Sequence, residues 1–321
     1  MGYLRNGKPM SVPNWRTKPQ TKITYYAPDG EAYILHNPPD KVVVGMSGWG
    51  LSPHDTFTTR GPYQQGETVI GQRLRPREIT MTVHHNGCDK NDFWGNRSTL
   101  VDIFRENRTN LNYPTPGRLR FTYQQNGAPV VREVKAFYNQ GFAFQPENLQ
   151  YWDGFAIRET VSFVAYDPVV YDPTAITVAI PALTEDLVLP MDFPFVLGAW
   201  GGSSAITYTG TWESWPTIVI TGPATGFAVY NEGIDRIIRL DTDIAGGETV
   251  TISLEYDNKY VTSDLRGDIT YTVVESDLES FGLREDPTVT GGVNTLYFYV
   301  ENYDPGNTTI TLTYYNRYRG F

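Results

Sequence analysis

Apolar and polar residues alternate with a period of two along much of this 321-residue chain. In such a run, successive side chains point to opposite faces of a strand. The clearest runs pair apolar residues with threonine, serine or tyrosine, and they cover residues 79–83, 250–254, 296–300 and 310–314. Asn126-Gly127 stands between two further runs and is a strong hairpin signal. These patterns predict antiparallel sheets with one buried and one solvated face.

One segment, residues 91–110, follows a helical spacing instead. Its apolar positions recur every three or four residues, at Phe93, Leu100, Val101 and Phe104. Asn91 precedes them as a cap residue. The segment therefore predicts one amphipathic helix that covers a face of the sheet in the first half of the chain.

Tyr-Asp-Pro occurs twice in close succession, at residues 166–168 and 171–173. Proline has no N–H and keeps the preceding residue out of the helical region, so each copy marks the end of a sheet ladder. We expect residues 1–173 to form one α+β domain, a β-sandwich or barrel with one helix. Residues 174–205, interrupted by prolines and by a Gly-Gly-Ser-Ser run, are expected to be a connection. Residues 206–321 are expected to form a β-sandwich.

Composition narrows the class of protein. The 22 Tyr, 15 Phe and 7 Trp favour strands, and the single cysteine, Cys88, has no second cysteine for a disulfide within the chain. This cysteine usage fits a reducing compartment. No apolar run has the length of a signal-peptide core or of a membrane span, so neither a leader nor a membrane partner is predicted.

Charge is divided unevenly at the second Tyr-Asp-Pro. Residues 1–173 contain 19 Lys and Arg against 16 Asp and Glu, whereas residues 174–321 contain 7 against 20. The second part therefore carries a net charge of −13, which repels nucleic acid. The first part is nearly neutral and gives no indication of a DNA-binding patch.

The residue pattern offers little support for catalysis. His84, His85 and Cys88 resemble part of a metal site, but adjacent strand residues point to opposite faces and no second cluster supplies more ligands. No nucleophile elbow, phosphate loop or zinc-protease motif occurs. We therefore predict no catalytic residues, no metal, no cofactor and no enzymatic activity.

One group of carboxylates allows the alternative that the protein is a glycosidase. Such an enzyme needs two carboxylates, a general acid and its partner, on either side of the scissile bond. The candidates are Asp241, Asp243, Glu275, Asp277 and Glu279. Solvated charges at strand ends are the favoured interpretation.

Trp212 and Trp215 are the candidate contacts for a partner or a glycan. Trp212 is in register with Ile218 and Ile220, whereas Trp215 is in register with Val219, so the two indoles are expected to face opposite sides. At most one of them then belongs to the core. An exposed indole can stack on a sugar ring or anchor a protein neighbour, although covering the edge of the core is the favoured interpretation.

The order and spacing of several stretches resemble those of distal tail proteins, the siphophage tail-tip family that forms the ring between tail tube and host-adhesion apparatus. The stretches are GPYQQGETVIGQRLRPREITMTV (61–83), NRSTLVDIFREN (96–107), GRLRFTYQQNGAPVVREVKAFYNQGF (117–142), FVAYDPVVYDP (163–173), MDFPF (191–195) and TYTGTWESWPTIVITGP (207–223). Together they extend over most of the chain.

This resemblance implies that residues 1–173 form the ring domain and that residues 206–321 form a galectin-like or carbohydrate-module-like jelly roll. The ring of the family is usually a homohexamer. Its expected partners are the tail tube protein, the tail-tip hub or tail-associated protein, and side fibres, receptor-binding proteins or host surface glycans. The expected location is the virion tail tip, after synthesis in the host bacterial cytoplasm.

Residues 11–60 are expected to form loops or arms toward neighbouring subunits. The alternatives are a non-catalytic carbohydrate-binding or cell-surface adhesion protein and a glycosidase.

Overall fold

The structure is a computed structural model. It describes residues 4–5, 8–9, 21–36, 42–86, 90–104, 115–141, 156–180, 199–256, 258–285, 292–301, 303–304 and 306–320. The chain divides into two compact units, Met1–Val170 with Gly320–Phe321 and Tyr171–Arg319. No helix in these described ranges combines the length and the apolar character that crossing a membrane requires.

The first unit is mainly β with one helix. Its elements are β1 (Leu4–Arg5), β2 (Lys8–Pro9), β3 (Lys22–Tyr26), β4 (Ala32–His36), β5 (Val42–Ser47), β6 (His54–Thr59), β7 (Thr68–Leu74), β8 (Arg77–Asn86), α1 (Lys90–Ile103), β9 (Gly117–Gln125), β10 (Ala128–Gly141) and β11 (Ala156–Ala165). The short strand β12 (Val170–Tyr171) lies where the two units divide.

Seven of these strands form one antiparallel sheet, in the order β4, β3, β9, β10, β11, β8 and β5. The predicted hairpin is confirmed, because β9 and β10 pair from Gln125 opposite Ala128. Asn126 and Gly127 at its turn have φ values of 51° and 81°. Both values lie in the left-handed region that asparagine and glycine tolerate best, which explains why this pair directs the turn.

The expectation of loops over residues 11–60 is wrong for much of this range, because β3, β4, β5 and β6 lie within it, while the expected arms toward neighbouring subunits stay a prediction. The first three of these strands belong to the sheet of the first unit. These strands are only five or six residues long, and a turn at residues 28–30, where Gly30 has φ of 91°, separates β3 from β4. Runs this short show little alternation. Residues 11–20 and 37–41 lie outside the described residues.

The predicted helix is confirmed as α1. Four side chains in it or directly after it are buried: Phe93, Leu100, Ile103 and Phe104. Phe104 packs on Tyr25 and Phe163, with ring centroids 4.9 and 5.3 Å apart. Val101 was expected on the apolar face, but it is 44% exposed because the face that contacts the sheet is narrower than the spacing suggested. Residues 105–110 of the predicted helix lie outside the described residues.

A buried arginine, Arg77, holds three parts of the first unit together. Its Nη1 donates to the carbonyl oxygens of Gly48 and Gly50 at 3.0 and 2.8 Å, and its Nε donates to the Pro168 carbonyl at 2.8 Å. Its Nη2 donates to Ser52 Oγ at 2.7 Å. Burial lowers the pKa of Arg77 to about 10, so the guanidinium stays charged at neutral pH. The first Tyr-Asp-Pro is therefore fixed to the unit by a charged group.

The second unit is a sandwich of two antiparallel sheets. Its strands are β13 (Ile176–Ile180), β14 (Ala199–Thr207), β15 (Thr217–Thr221), β16 (Ala224–Asn231), β17 (Arg236–Ile244), β18 (Thr249–Glu255), β19 (Asn258–Ser263), β20 (Gly267–Asp268), β21 (Val273–Ser276), β22 (Val293–Glu301), β23 (Thr309–Tyr314) and β24 (Arg317–Tyr318), with a 3-10 turn at Thr270–Thr272. One sheet has the order β13, β23, β15, β18, β19 and β20, and the other has the order β14, β22, β16, β17 and β21.

One hydrophobic core lies between these sheets. The six-stranded sheet contributes Ile218, Ile220, Val250, Ile252 and Leu312, and the five-stranded sheet contributes Phe227, Val229, Leu240, Leu296 and Phe298. The alternation predicted at residues 296–300 is confirmed, because the even-numbered side chains are buried while Tyr297 and Tyr299 are exposed. The predicted β-sandwich is therefore present.

Part of the expected connection, residues 174–205, is β-strand. β13 pairs with β23, and β14 pairs with β22. The Gly-Gly-Ser-Ser run lies inside β14, where Gly201 is opposite Tyr299 and Ser203 is opposite Tyr297. An edge strand tolerates glycine when an aromatic residue is its cross-strand partner, and that pairing is not visible in the local sequence. Residues 181–198 lie outside the described residues.

A buried carboxylate, Glu248, connects two loops of the second unit. It accepts hydrogen bonds from Ser263 Oγ, from the Ala245 N–H at 2.8 Å and from Arg266 Nε at 2.7 Å. Burial alone would raise the pKa of Glu248, but the hydrogen bonds outweigh burial and hold the pKa below its ordinary value of 4.5. Glu248 is therefore ionised at neutral pH and stabilises the fold in that form.

Candidate interaction surfaces

The β6–β7 hairpin of the first unit forms a two-stranded sheet of its own. Within the described part of the chain, neither strand pairs with any third strand. Most residues of both strands are exposed. An isolated two-stranded hairpin is marginally stable in water unless one face packs on something else. The hairpin is thus a candidate contact for another molecule.

Large apolar side chains are exposed on this hairpin: Phe57 (42%), Tyr63 (100%), Val69 (58%) and Ile70 (67%). We call these four residues the hairpin surface. Arg73 lies over the Phe57 ring at 5.3 Å from the ring centroid and approaches Asp55 Oδ2 at 3.5 Å. Apolar area rimmed by charged groups is typical of a protein–protein contact.

The neighbouring strand β5 offers a second exposed feature. It lies at one end of the seven-stranded sheet and pairs with β8 alone among the described strands. Val44 and Met46 on it are 47% and 43% exposed. An edge strand presents N–H and C=O groups that can pair with another chain. In the first unit, two adjacent stretches of sequence therefore have features of a subunit contact.

The second unit has a groove of about 710 Å³ on the solvent face of its five-stranded sheet. The residues that matter for its chemistry are Tyr230, Tyr297, Tyr299, Arg239, Glu275 and Glu301, and we call this set the tyrosine groove. Strand register brings them together, because Tyr230 is opposite Tyr297 in the β16–β22 pair. Arg239 is opposite Glu275 in the β17–β21 pair. The two rings of the first pair have centroids 6.2 Å apart.

Each tyrosine of the groove donates its hydroxyl proton to a carboxylate. Tyr230 donates to Asp235 at 3.1 Å, Tyr297 to Glu232 at 3.4 Å and Tyr299 to Glu301 at 3.0 Å. The hydrogen bond to Asp235 raises the pKa of Tyr230, and burial followed by the bond to Glu301 raises the pKa of Tyr299. The raised pKa keeps Tyr230 and Tyr299 neutral at physiological pH. The rings of all three tyrosines are held by these hydrogen bonds.

Small residues give the groove its depth. Gly202 and Ser203 of β14 and Ala228 of β16 are part of its lining. Ala228 is opposite Tyr299 in the β16–β22 pair, so a ring stands beside a methyl group. The arrangement leaves aromatic faces, carboxylate oxygens and a guanidinium accessible side by side. Such a surface can bind a ligand that combines apolar ring faces with hydroxyl groups.

The two predicted contact residues, Trp212 and Trp215, lie outside the lining of this groove. Trp215 packs against the core of the second unit, and Arg317 Cζ is 4.2 Å from the centroid of its ring. Trp212 is half-buried, with Arg319 Cζ 4.8 Å from its ring centroid. β15 begins only at Thr217, so a strand register does not extend back to either indole. Their predicted role in contacting a partner or glycan stays a prediction.

The predicted carboxylates do not form one isolated group. Glu275 approaches Arg239 at 3.9 Å, and Asp277 approaches Arg236 at 3.8 Å while also accepting the Ile237 N–H at 3.0 Å. The Lys259 ammonium bonds the backbone carbonyl of Glu279 at 2.9 Å. Asp241 and Asp243 are exposed on β17. Of the five carboxylates, only Glu275 belongs to the groove.

The predicted His-Cys cluster falls partly outside the described residues, because Cys88 lies in the gap before α1. His84 is on β8, and burial, followed by the positive charge of Arg158, lowers its pKa. Among the residues that the structure describes, no three His, Cys, Asp or Glu side chains come together as a metal site would require.

Sequence reasoning missed the tyrosine groove. The available signal was the alternation of Tyr297 and Tyr299 on the solvent face of a predicted strand, next to a sequence unusually rich in tyrosine. That signal does not say which strands are neighbours. The opposition of Tyr230 and Tyr297 comes from pairing between segments that are distant in sequence.

Comparison with known proteins identifies the fold. Residues 209–318 match the family model described as "Siphovirus-type tail component, C-terminal domain". The Dit protein of phage SPP1, described as a paradigm of the hub adsorption apparatus in phages infecting Gram-positive hosts, is similar in structure, with 14% identity and a TM-score of 0.60. The similarity covers 92% of this chain and 98% of that one. A chain of the activated phage P2 baseplate with Ca has 11% identity and a TM-score of 0.44, over 92% of this chain and 97% of that one. No curated protein matches the sequence.

The resemblance to distal tail proteins and the mainly β fold class are thus confirmed. The family-model match lies within the second unit, and the structural match extends the likeness to most of the chain. At 14% identity the structural match shows the fold alone.

Proposed function

We propose that the protein is a distal tail protein, a structural component of a siphophage tail tip that closes into a ring and joins the tail tube to the adhesion apparatus. The observation that carries the proposal is the combination of the tail-component match at residues 209–318 with a Dit-like fold over 92% of the chain. Its place is then the virion, and its action is mechanical rather than enzymatic.

Ring formation in this proposal depends on the hairpin surface. Burying an Ile side chain completely is worth about 1.5–3 kcal/mol, and Ile70 is still 67% exposed, so a neighbouring subunit would gain roughly 1–2 kcal/mol from this residue alone. The exposed edge of β5 lies nearby in sequence and offers backbone pairing. A contact between different surfaces of identical copies must close into a ring or continue as a filament. A closed hexamer is the form that the resemblance implies.

The two parts of the chain have different roles in this proposal. Residues 1–173 form the ring domain in this proposal, and residues 206–321 form the galectin-like sandwich that meets side fibres or receptor-binding proteins. The difference in charge supports separate roles, since residues 174–321 carry a net charge of −13 and residues 1–173 are nearly neutral. The tail tube protein and the tail-tip hub are the proposed axial partners.

The experiment is a comparison of assembly masses for the full chain at micromolar concentration, by light scattering coupled to size exclusion. We expect the unaltered protein to assemble well beyond its 36.2 kDa chain mass and Ile70→Asp to shift to that mass. Leu265→Asp is the matched control, because Leu265 is 69% exposed but lies in the second unit. The proposed contact is wrong if Ile70→Asp assembles as fully as Leu265→Asp while both melt at the temperature of the unaltered protein.

A further inference from the structure

We propose that the tyrosine groove binds a neutral oligosaccharide, with Tyr297 and Tyr299 as stacking residues and with Arg239, Glu275 and Glu301 bonding the sugar hydroxyls. This inference goes beyond the structural role proposed above. It also moves the site away from Trp212 and Trp215. It depends on the face of one sheet within the second unit, so it does not require ring formation.

The first step is the rigidity of the aromatic surface. Tyr297 and Tyr299 are 43% and 36% exposed, yet their hydroxyls are hydrogen-bonded to Glu232 and Glu301. Ordering an aromatic side chain on binding costs conformational entropy, and a ring that is already held avoids much of that cost. Exposed rings that are fixed in advance are suited to stacking on a flat partner.

The second step is the match between the polar groups and sugar chemistry. A pyranose has an apolar face of C–H groups and a rim of hydroxyls that both donate and accept hydrogen bonds. The tyrosine rings of the groove can stack on the C–H face of the sugar. The Glu275 and Glu301 carboxylates can accept hydrogen bonds from its hydroxyls, and the Arg239 guanidinium can donate hydrogen bonds to them. Glu275 and Arg239 are 3.9 Å apart, longer than a direct hydrogen bond, so both retain capacity for a ligand.

The third step is charge. Carboxylates outnumber the single guanidinium in the groove, and Asp235 and Glu232 add negative charge beside it. An anionic polymer such as a polyuronate or a phosphate-rich glycan would be repelled, whereas a neutral glycan has no charge to desolvate. Tyr230, Tyr297 and Tyr299 lie on the inner strands β16 and β22, each paired on both sides, so an extended peptide could add a strand only at β14 or β21 and not over the rings. A neutral glycan is therefore the occupant that fits best.

The size of the groove agrees with a short chain of sugars. Its volume of about 710 Å³ falls within the range of sites that enclose small organic ligands. Its position on an open sheet face suits the middle of a polymer as well as a chain end. Weak binding at one groove would be strengthened wherever several copies face the same polymer.

The test uses the full chain and defined probes: tetrasaccharides of glucose, galactose and N-acetylglucosamine, with a tetragalacturonate as the anionic probe. Binding is measured by titration calorimetry and by chemical-shift changes of the sugar protons. We expect at least one neutral tetrasaccharide to bind and the tetragalacturonate not to bind. Tyr297→Ala and Tyr299→Ala should each weaken binding at least about tenfold.

The controls separate the groove from the rest of the molecule. Tyr271→Ala removes a tyrosine that is 81% exposed outside the groove and should bind the sugar normally. Tyr297→Phe keeps the ring but removes its hydrogen bond to Glu232, so it should bind more weakly than the unaltered protein and more tightly than Tyr297→Ala. Ile70→Asp should bind each sugar as before, so failure of ring formation and failure of this proposal are distinguishable. The proposal is overturned if no neutral probe binds, if the anionic probe binds in its place, or if binding survives both alanine variants and is lost in Trp212→Ala or Trp215→Ala.

Discussion

Replacing Arg77 by methionine is expected to destabilise the first unit by about 3–5 kcal/mol. The change removes at least four hydrogen bonds, three to the carbonyls of Gly48, Gly50 and Pro168 and one to Ser52 Oγ. A buried polar group left without a partner costs about 1–3 kcal/mol, and methionine recovers part of this by filling the same space. A loss of this size is a large fraction of the 5–15 kcal/mol that typically stabilises a protein.

Two further variants provide reference values for the loss in free energy of unfolding that is expected for Arg77→Met. Arg77→Lys keeps the charge but has a single nitrogen in place of the guanidinium fork, so an intermediate loss is expected. Arg73→Met is the surface control, because the Arg73 side chain is 70% exposed and its pair with Asp55 at 3.5 Å is worth at most about 1 kcal/mol.

The assay is denaturant unfolding combined with hydrogen exchange read by mass spectrometry. Exchange resolves the two units, and in Arg77→Met the amides of residues 48–52 and 166–170 should lose protection first. A free energy of unfolding of Arg77→Met within about 1 kcal/mol of the Arg73→Met value would show that the hydrogen bonds of Arg77 do not stabilise the fold to this extent. Unchanged exchange at residues 48–52 would show that the guanidinium does not hold this loop.

Three further predictions concern single residues. Glu248→Gln should cost about 2 kcal/mol near neutral pH by weakening the contact with Arg266. Because the folded-state pKa of Glu248 is lowered, the stability that its charge contributes is complete above the ordinary pKa of 4.5 and is lost as the pH falls through the folded-state pKa. The free energies of unfolding of Glu248→Gln and of the unaltered protein should therefore converge in acid. Gly48→Ala should lower the melting temperature strongly, since φ is +85° and a Cβ would lie 1.9 Å from the Glu78 carbonyl oxygen; a normal melting curve contradicts this. Trp215→Ala should cost about 3 kcal/mol in denaturant unfolding because the indole packs on the core, and a loss below about 1 kcal/mol would indicate that it does not.

Local signals in the sequence predicted the elements that local physics determines. The Asn126-Gly127 turn and α1 were both predictable, because left-handed turn geometry and helical spacing are visible within a short window. The one-sided strand at residues 296–300 was predictable for the same reason. These features need no knowledge of which segments become neighbours.

Pairing between distant segments was not predictable from the same patterns. β14 was expected to be part of a connection because its glycines and serines suggest a loop, but it pairs with β22, where Tyr297 and Tyr299 are opposite Ser203 and Gly201. The tyrosine groove depends on the alignment of β16 with β22, and the buried position of Arg77 depends on two distant segments, residues 48–52 and Pro168, that meet at its guanidinium. In each case the determining partner is far away in sequence.

Ring formation through the hairpin surface is tested directly by negative-stain electron microscopy of the purified full chain at micromolar concentration, with Ile70→Asp imaged alongside it. We expect closed rings of uniform diameter for the unaltered protein and separate small particles for the variant. A field of separate particles for both proteins, or of open filaments for the unaltered one, would contradict this expectation.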